Sequence, residues 1–355
     1  MRSALTVDGE VLLDELVRVS RALGADPRLV LHGGGNTSVK TTWTDVTGRE
    51  RPALLVKGSG HDLAVIGPEG FVPLDLGRVR ELLPPTELPP DELPGALLGA
   101  QLRHPAPAAS VESLVHALLP HTAVLHSHAD AILTLTNTAD GRERVVELFG
   151  DRLVLVEYAM PGPELAAACA RAWSEAADRH EIVEGLLVLQ HGLFTVGTTP
   201  AEALERHLAI VARAAEAAGL EALPDAPQEV TPSLDLEEAE HLARLRRALS
   251  ELAGRPLVAC LDATAEARDF VAEAELVDAA GRGPVTPDHV IWTGAFPQVG
   301  DDVGAHAERY VRYVEQGAAH RGGEVPDVDP SARVVLLPGR GVLALGRDAR
   351  EARVA

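Results

Sequence analysis

The sequence predicts an α/β protein: a central sheet, mixed or mostly antiparallel, flanked by helices over residues 1–225, followed by a smaller C-terminal α/β domain over residues 235–355. Three observations carry this. Short apolar runs typical of strands alternate with stretches whose apolar residues recur at helical spacing. Glycine clusters punctuate the strand-like runs, and a polar, proline-bearing stretch, E-A-L-P-D-A-P-Q-E-V-T-P-S-L-D at 221–235, reads as a linker with a boundary near residue 225. A chain of 355 residues is also long for one core.

In chain order, Val11, Leu12, Leu16, Val19 and Leu23 fall on one helical face over 8–23, and Gly24 stands ready to stop that helix. L-V-L-H-G-G-G-N-T-S-V-K follows, where Gly33, Gly34 and Gly35 either close a hairpin or leave successive amides free to face an anion. A second cradle is legible at 54–60, L-L-V-K-G-S-G, with Lys57 and a hydroxyl; its spacing is not that of a Walker A loop. Of the 32 basic residues, Lys40 and Lys57 are the two lysines, and both lie in these glycine-rich motifs. Residues 84–107 are rich in proline, so an irregular excursion with at most a short helix is expected. Ser110 reads as the N-cap of a helix over 110–119, with Glu112 in its first turn, where a carboxylate is favoured by the helix dipole whether or not it has another task. His116 and His121 read as surface or core-satisfied imidazoles.

The stretch T-A-V-L-H-S-H-A-D at 122–130 sets His126 and His128 two residues apart on an expected strand edge, pointing the same way, with Ser127 pointing to the other face. Taken alone, H-x-H is also the pattern of strand imidazoles satisfied by hydrogen bonds. A catalytic zinc takes three protein ligands and keeps a fourth position open. The third candidate is His191 in L-V-L-Q-H-G-L-F-T-V-G, on an apolar run read as a buried strand, with Gly192 permitting close backbone approach. Helices are then expected over 129–138, 164–177 and from Pro200 to about residue 218, and a strand over 152–156. In the second part the expectations are a charged helix over 236–253 and strands over 256–261 and 289–293. The tail V-V-L-L-P-G-R-G-V-L-A-L-G matches the His191 hairpin, with Arg340 where His191 stood, and is read as a degenerate repeat without the metal ligand.

A formal charge of -21 argues against a nucleic-acid surface, which would need clustered Lys and Arg, so no nucleic-acid partner is expected. Cys169 and Cys260, outside any C-x-x-C pattern, give no disulfide framework. The N-terminus lacks the apolar core of a signal peptide and no run is long enough to span a membrane, so a cytoplasmic protein without membrane partners is expected.

Five ordered motifs, G-G-N-T-S at 34–38, K-G-S-G at 57–60, S-V-E at 110–112, H-S-H-A-D at 126–130 and Q-H-G-L-F-T-V-G at 190–197, resemble the class II aldolase and adducin family. The resemblance is greatest to the aldolase half of bifunctional rhamnulose-1-phosphate aldolase/alcohol dehydrogenases, without an expected match to their dehydrogenase half. The resemblance implies a class II aldolase-like sheet and His126, His128 and His191 as ligands of Zn2+ or another divalent transition metal. It implies Glu112 as acid/base and Asn36, Ser59, Gly60 and Ser110 around a substrate phosphate. It further implies a homo-oligomer acting on a small sugar phosphate: an aldehyde-lyase that cleaves a ketose 1-phosphate into dihydroxyacetone phosphate and an aldehyde through a metal-stabilised enediolate. Val111 departs from the pattern, since relatives that act on sugar phosphates often carry two serines before the glutamate. Epimerisation or decarboxylation of a sugar acid, and a non-catalytic adducin-like module, are the alternatives. Nearness to a cation would lower the Glu112 pKa and burial would raise it, and the sequence does not say which wins.

Overall fold

A computed structural model describes residues 4–177, 183–220 and 234–355. The chain divides into two units, Met1–Ala222 and Leu223–Ala355. All but the last two residues of the linker expected at 221–235 lie outside the described residues, as does the boundary expected near residue 225.

The first unit opens with β1 (Ala4–Leu5) and α1 (Val7–Gly24), the latter capped by the Thr6 hydroxyl, which accepts from the Gly9 amide. Two long strands follow, β2 (Asn36–Thr44) and β3 (Glu50–Lys57), then β4 (Phe71–Asp75) and α2 (Leu76–Glu81). The proline-rich stretch holds one short helix, α3 (Leu93–Gly99). Next come α4 (Ser113–Leu118), β5 (Ala123–Ser127), α5 (Asp130–Thr136), α6 (Gly141–Phe149), β6 (Leu153–Val156) and α7 (Pro163–Ala177). A tight hairpin, β7 (Gly185–Val188) and β8 (Gly192–Gly197), leads into α8 (Pro200–Ala218), whose N-cap Thr199 accepts from the Glu202 amide.

These strands form an eight-stranded sheet in the order β4-β3-β2-β5-β8-β7-β6, with β1 also paired to β2. Every pair is antiparallel except β6 with β7. Strand side chains alternate faces, so one sheet feeds two cores. Leu55, Leu125, Leu187 and Leu193 pack on one side with Leu16 and Leu23 of α1 and Ile210 of α8. Leu54, Val124, Leu186 and Phe194 pack on the other with Val79 of α2, Leu114 of α4 and Leu165 of α7. Helices thus cover both faces, and the edge of β5 against β8 lies deep between them.

The second unit contains α9 (Leu236–Leu252), held by a capping box between Asp235 and Glu238, then β9 (Val258–Asp262), α10 (Ala265–Ala272) and α11 (Ala274–Ala280). There follow α12 (Pro287–Thr293), β10 (Gln298–Val299), α13 (Val303–Arg321), β11 (Val334–Leu337), β12 (Gly341–Gly346) and α14 (Ala349–Val354). Its sheet runs β10-β11-β12-β9, with β10 and β11 parallel and the other pairs antiparallel. The strand expected at 289–293 is instead the body of α12. Thr286 caps it by accepting from the His289 amide and Pro287 opens it, so helix-start chemistry outweighs the strand preference of Val290, Ile291 and Trp292.

Candidate metal centre

His126 lies in the middle of the sheet on β5, opposite Asn36 of β2 and Phe194 of β8. Its ring stacks on Phe194 with centroids 3.8 Å apart, and its Nδ1 donates to the Leu193 carbonyl at 3.0 Å. That bond fixes the tautomer and leaves Nε2 with its lone pair turned into the site. His128 follows one residue beyond the end of β5, and its Nε2 stands 3.0 Å from that of His126. Ser127 points to the opposite face, where its hydroxyl meets His207 Nε2 at 2.6 Å.

His191 is not on a strand. It sits in the turn between β7 and β8, where Gln190 at φ 57° reverses the chain, and the turn projects the imidazole over the end of β5. Gly192 makes this possible, since a Cβ there would lie 2.4 Å from the Ser127 carbonyl oxygen and 3.0 Å from His126 Cε1.

Ser110 does not cap the helix expected at 110–119. The helix begins at Ser113, Glu112 occupies the N-cap position, and its side chain makes no capping bond. The carboxylate is drawn into the histidine cluster instead, with Oε1 2.9 Å from His191 Nε2 and 3.4 Å from His126 Nε2. Its other oxygen accepts from Asn36 Nδ2 at 2.5 Å. Asn36 Nδ2 also reaches Ser110 Oγ at 3.3 Å, and Ser110 Oγ accepts from the Glu112 amide at 3.3 Å. His116, one helical turn beyond Glu112, hydrogen-bonds Asn36 Oδ1 through Nε2 and accepts from Ser38 Oγ at 2.7 Å.

Among the described residues, Glu112, His126, His128 and His191 form a group whose ligand atoms all lie within 4.8 Å of one another. Two nitrogens bound to one tetrahedral zinc stand about 3.3 Å apart, given bond lengths of roughly 2.0 to 2.1 Å. The 3.0 Å separation of the His126 and His128 nitrogens is close to that. Both His191 nitrogens and Glu112 Oε1 are buried without a hydrogen-bond partner, so the close approach of His191 and Glu112 is not aligned as a hydrogen bond. Orphaned buried polar atoms are costly, and three of them beside two converging imidazole lone pairs have the character of a ligand set. Burial holds His126 well below the ordinary imidazole range. Burial alone would raise the Glu112 carboxyl. The adjacent imidazoles, His126 foremost, outweigh it and hold the group well below the carboxylate range.

The remaining residues of the expected phosphate pocket lie on neighbouring segments. Gly58 bridges Ala109, and the Ser59 amide donates to the Ala108 carbonyl at 2.8 Å, so the 58–60 turn runs beside the segment that carries Ser110. Ser59 and Gly60 are exposed and Asn36 is buried. A Cβ on Gly33 would contact the Gly60 carbonyl at 3.5 Å, which brings the two glycine loops together. Lys57 has a different task from the anion contact read in the sequence: its Nζ donates to the carbonyls of Gly33, Gly34 and Gly35, pinning one loop to the other.

Residues 14–218 match the family described as "Class II Aldolase and Adducin N-terminal domain", and residues 236–355 match "Aldolase class II, second domain". The chain belongs to the class II aldolase and adducin family. Among solved structures, it is similar to the N-terminal class II aldolase domain of a conserved protein from Thermoplasma acidophilum, with 37% identity and a TM-score of 0.53 over 57% of this chain and 92% of that one. An L-fuculose-1-phosphate aldolase from Thermus thermophilus is 22% identical, with a TM-score of 0.36 over 59% of this chain and 92% of that one. A Bacillus subtilis (strain 168) protein called "Uncharacterized oxidoreductase YuxG" is 27% identical over 94% of this chain. This chain spans about half, 51%, of that relative's length. No helix among the described residues is long and apolar enough to cross a membrane.

Proposed function

We propose that the chain is a metal-dependent aldehyde-lyase that cleaves a ketose 1-phosphate, of the rhamnulose 1-phosphate kind, into dihydroxyacetone phosphate and an aldehyde. The observation that carries this reading is the convergence of His126, His128 and His191 with Glu112 in one buried cluster of unsatisfied atoms. In this reading the three imidazoles hold Zn2+ or a similar divalent ion, since neutral nitrogen ligands suit several such metals. The bound ion supplies Lewis-acid polarisation of the ketose oxygens, which eases breaking of the C-C bond.

The protein's own groups do the rest. Glu112 moves the proton, with Oε1 facing the site and Oε2 held by Asn36 so that the carboxylate cannot rotate away. His116 and Ser38 orient the Asn36 amide in turn. Ser59, Gly60, Asn36 and Ser110 receive the phosphate, with backbone amides and hydroxyls rather than a lysine as donors.

Epimerisation or decarboxylation of a sugar acid at the same site is the second reading. It is favoured by Val111, which removes a hydroxyl from the pocket, and by the commitment of Lys57 to loop carbonyls. A non-catalytic module has no use for a buried carboxylate among three imidazoles. The test is metal analysis of the purified chain, followed by product analysis against a panel of ketose 1-phosphates and sugar acids. Stoichiometric metal with release of dihydroxyacetone phosphate supports the lyase. Metal with turnover of sugar acids alone replaces it with the second reading, and protein that takes up no divalent metal rejects both.

A further inference from the structure

The second unit repeats the ligand-bearing half of the first unit's sheet. In the first hairpin Gly185 faces Thr195 and Val188 faces Gly192; in the second, Val334 faces Ala344 and Leu337 faces Gly341. The turns match as well: His191 and Arg340 each donate a backbone N-H to the residue three before, and Gln190 and Gly339 both have positive φ. The strand next to each hairpin is antiparallel in the same register, with Ser127 to Ala123 facing Leu193 to Gly197, and Asp262 to Val258 facing Val342 to Gly346. A parallel strand flanks the other side in both, β6 against β7 and β10 against β11. In this alignment Leu261 takes the place of His126, Ala263 that of His128 and Arg340 that of His191.

A cavity remains where the cluster stood. It has a volume of about 50 Å3 and is lined by Leu261, Ala263, Gly339 and Arg340, together with Glu238 and Arg268 among others. Arg340 Nη1 is buried and meets no hydrogen-bond acceptor. Glu238 is not its partner; that carboxylate accepts from the Asp235 amide in the capping box that starts α9. Arg340 thus brings to the cavity wall a guanidinium that is short of acceptors within the chain.

We infer that this cavity is a binding site for a small oxoanion, a phosphate or carboxylate group, held by Arg340 and Arg268 in the position where the first unit gathers its histidines. The size agrees: one water needs roughly 10 to 15 Å3 on this measure, so the cavity takes a single small polyatomic group and not a sugar. The charge agrees, since two arginines and one carboxylate line the cavity. The apolar floor of Leu261 and Ala263 offers no ligand for a cation. This site is independent of the metal reading of the first unit.

The test is calorimetric titration of the full chain with inorganic phosphate and, separately, acetate, which tells a phosphate site from a carboxylate site. Arg340→Gln and Arg268→Gln are each expected to weaken one binding event roughly tenfold or more, as loss of a charge-assisted bond predicts. Ser110→Val, in the first unit, should leave that event unchanged. Arg340→Lys, which keeps the charge and loses the fork, should fall between. Circular dichroism checks that each variant is folded, and should Arg340→Gln unfold, Arg268→Gln at its exposed helix position decides. The inference is overturned if neither anion binds the wild-type chain, or if the binding seen is equally strong in both arginine variants.

Discussion

Gly192→Ala is the smallest change expected to take the proposed metal centre apart. Gly192 lacks the left-handed φ that would itself forbid alanine, so the substitution adds a methyl group and no backbone strain. Its Cβ would lie 2.4 Å from the Ser127 carbonyl oxygen, 3.0 Å from His126 Cε1 and 3.1 Å from His128 Cδ2. Real Cβ atoms essentially never come closer than 3.0 Å to a heavy atom, so β5 and β8 must separate by about 0.6 Å at the rung that pairs Ser127 with Leu193. That is some three times the ~0.2 Å tolerance of a metal-ligand bond. Overpacking of this kind costs about 1 to 3 kcal/mol, and if it falls on the liganded state, metal affinity drops by roughly fivefold to 150-fold. The assay is competition of the chain with a metal chelator, in parallel with urea unfolding of the metal-free protein to separate a lost site from a lost fold. Wild-type metal affinity in a folded Gly192→Ala protein would refute the placement of His191 against His126 and His128.

Four further outcomes follow from the same geometry. Glu112→Gln should keep bound metal, measured by elemental analysis, while turnover on the true substrate falls by a factor on the order of 100 to 10,000, as for loss of a general acid/base. His191→Ala should lose metal and activity together. His116→Leu leaves metal in place but frees the Asn36 amide, and is expected to lower kcat about tenfold with little change in KM, because the carboxylate's aim and not substrate affinity is lost. Burial, helped by the charge of Arg80, pushes the Lys40 ammonium down to about 7. The folded chain therefore sheds this proton near pH 7 while the unfolded chain keeps it to about 10.4, so Lys40 opposes folding fully below pH 7 and progressively less as pH rises above it. Lys40→Met should remove that increment, and urea midpoints that rise equally in wild type and variant between pH 7 and 10 would contradict it.

How much of this was legible depended on whether the governing contact was local. The pairing of His126 with His128 needs only strand alternation, and the same alternation sends Ser127 to the far face, where it meets His207. Gly192 was readable as a close approach because a glycine beside an imidazole on an apolar run has few other uses. The position of His191 in a turn was not, since it depends on Gln190 accepting a positive φ that its side chain does not favour. The start of α4 was misplaced because Ser110 has every local qualification for an N-cap, and three imidazoles from distant segments pull Glu112 out of the helix's service. Lys57 was misread for a like reason: a lysine in a glycine-rich turn suggests an anion, but its acceptors are carbonyls of a loop more than twenty residues earlier.

The comparison of the two units separates what the ligands need from what the acid/base needs. The position of the cluster is a property of the backbone: a three-residue turn between paired strands, laid over the end of a neighbouring antiparallel strand, recurs in the same register in both units. Side chains then decide whether that position receives three imidazoles or an arginine above leucine and alanine. Among the described residues, the second unit has no counterpart of the other half of the sheet. In the first unit β5 is followed by β2, β3 and β4, and β2 sets Asn36 directly opposite His126, where it holds Glu112. The end of β3 brings Lys57, which fixes the glycine loop, and the turn after it carries Ser59 and Gly60. In the second unit β9, the counterpart of β5, is the edge of its sheet. Restoring histidines at 261, 263 and 340 would thus supply ligands without an oriented proton carrier or a rim for substrate. In the proposed function, metal binding rests on the half-sheet that the chain uses twice, and proton transfer rests on the half it uses once.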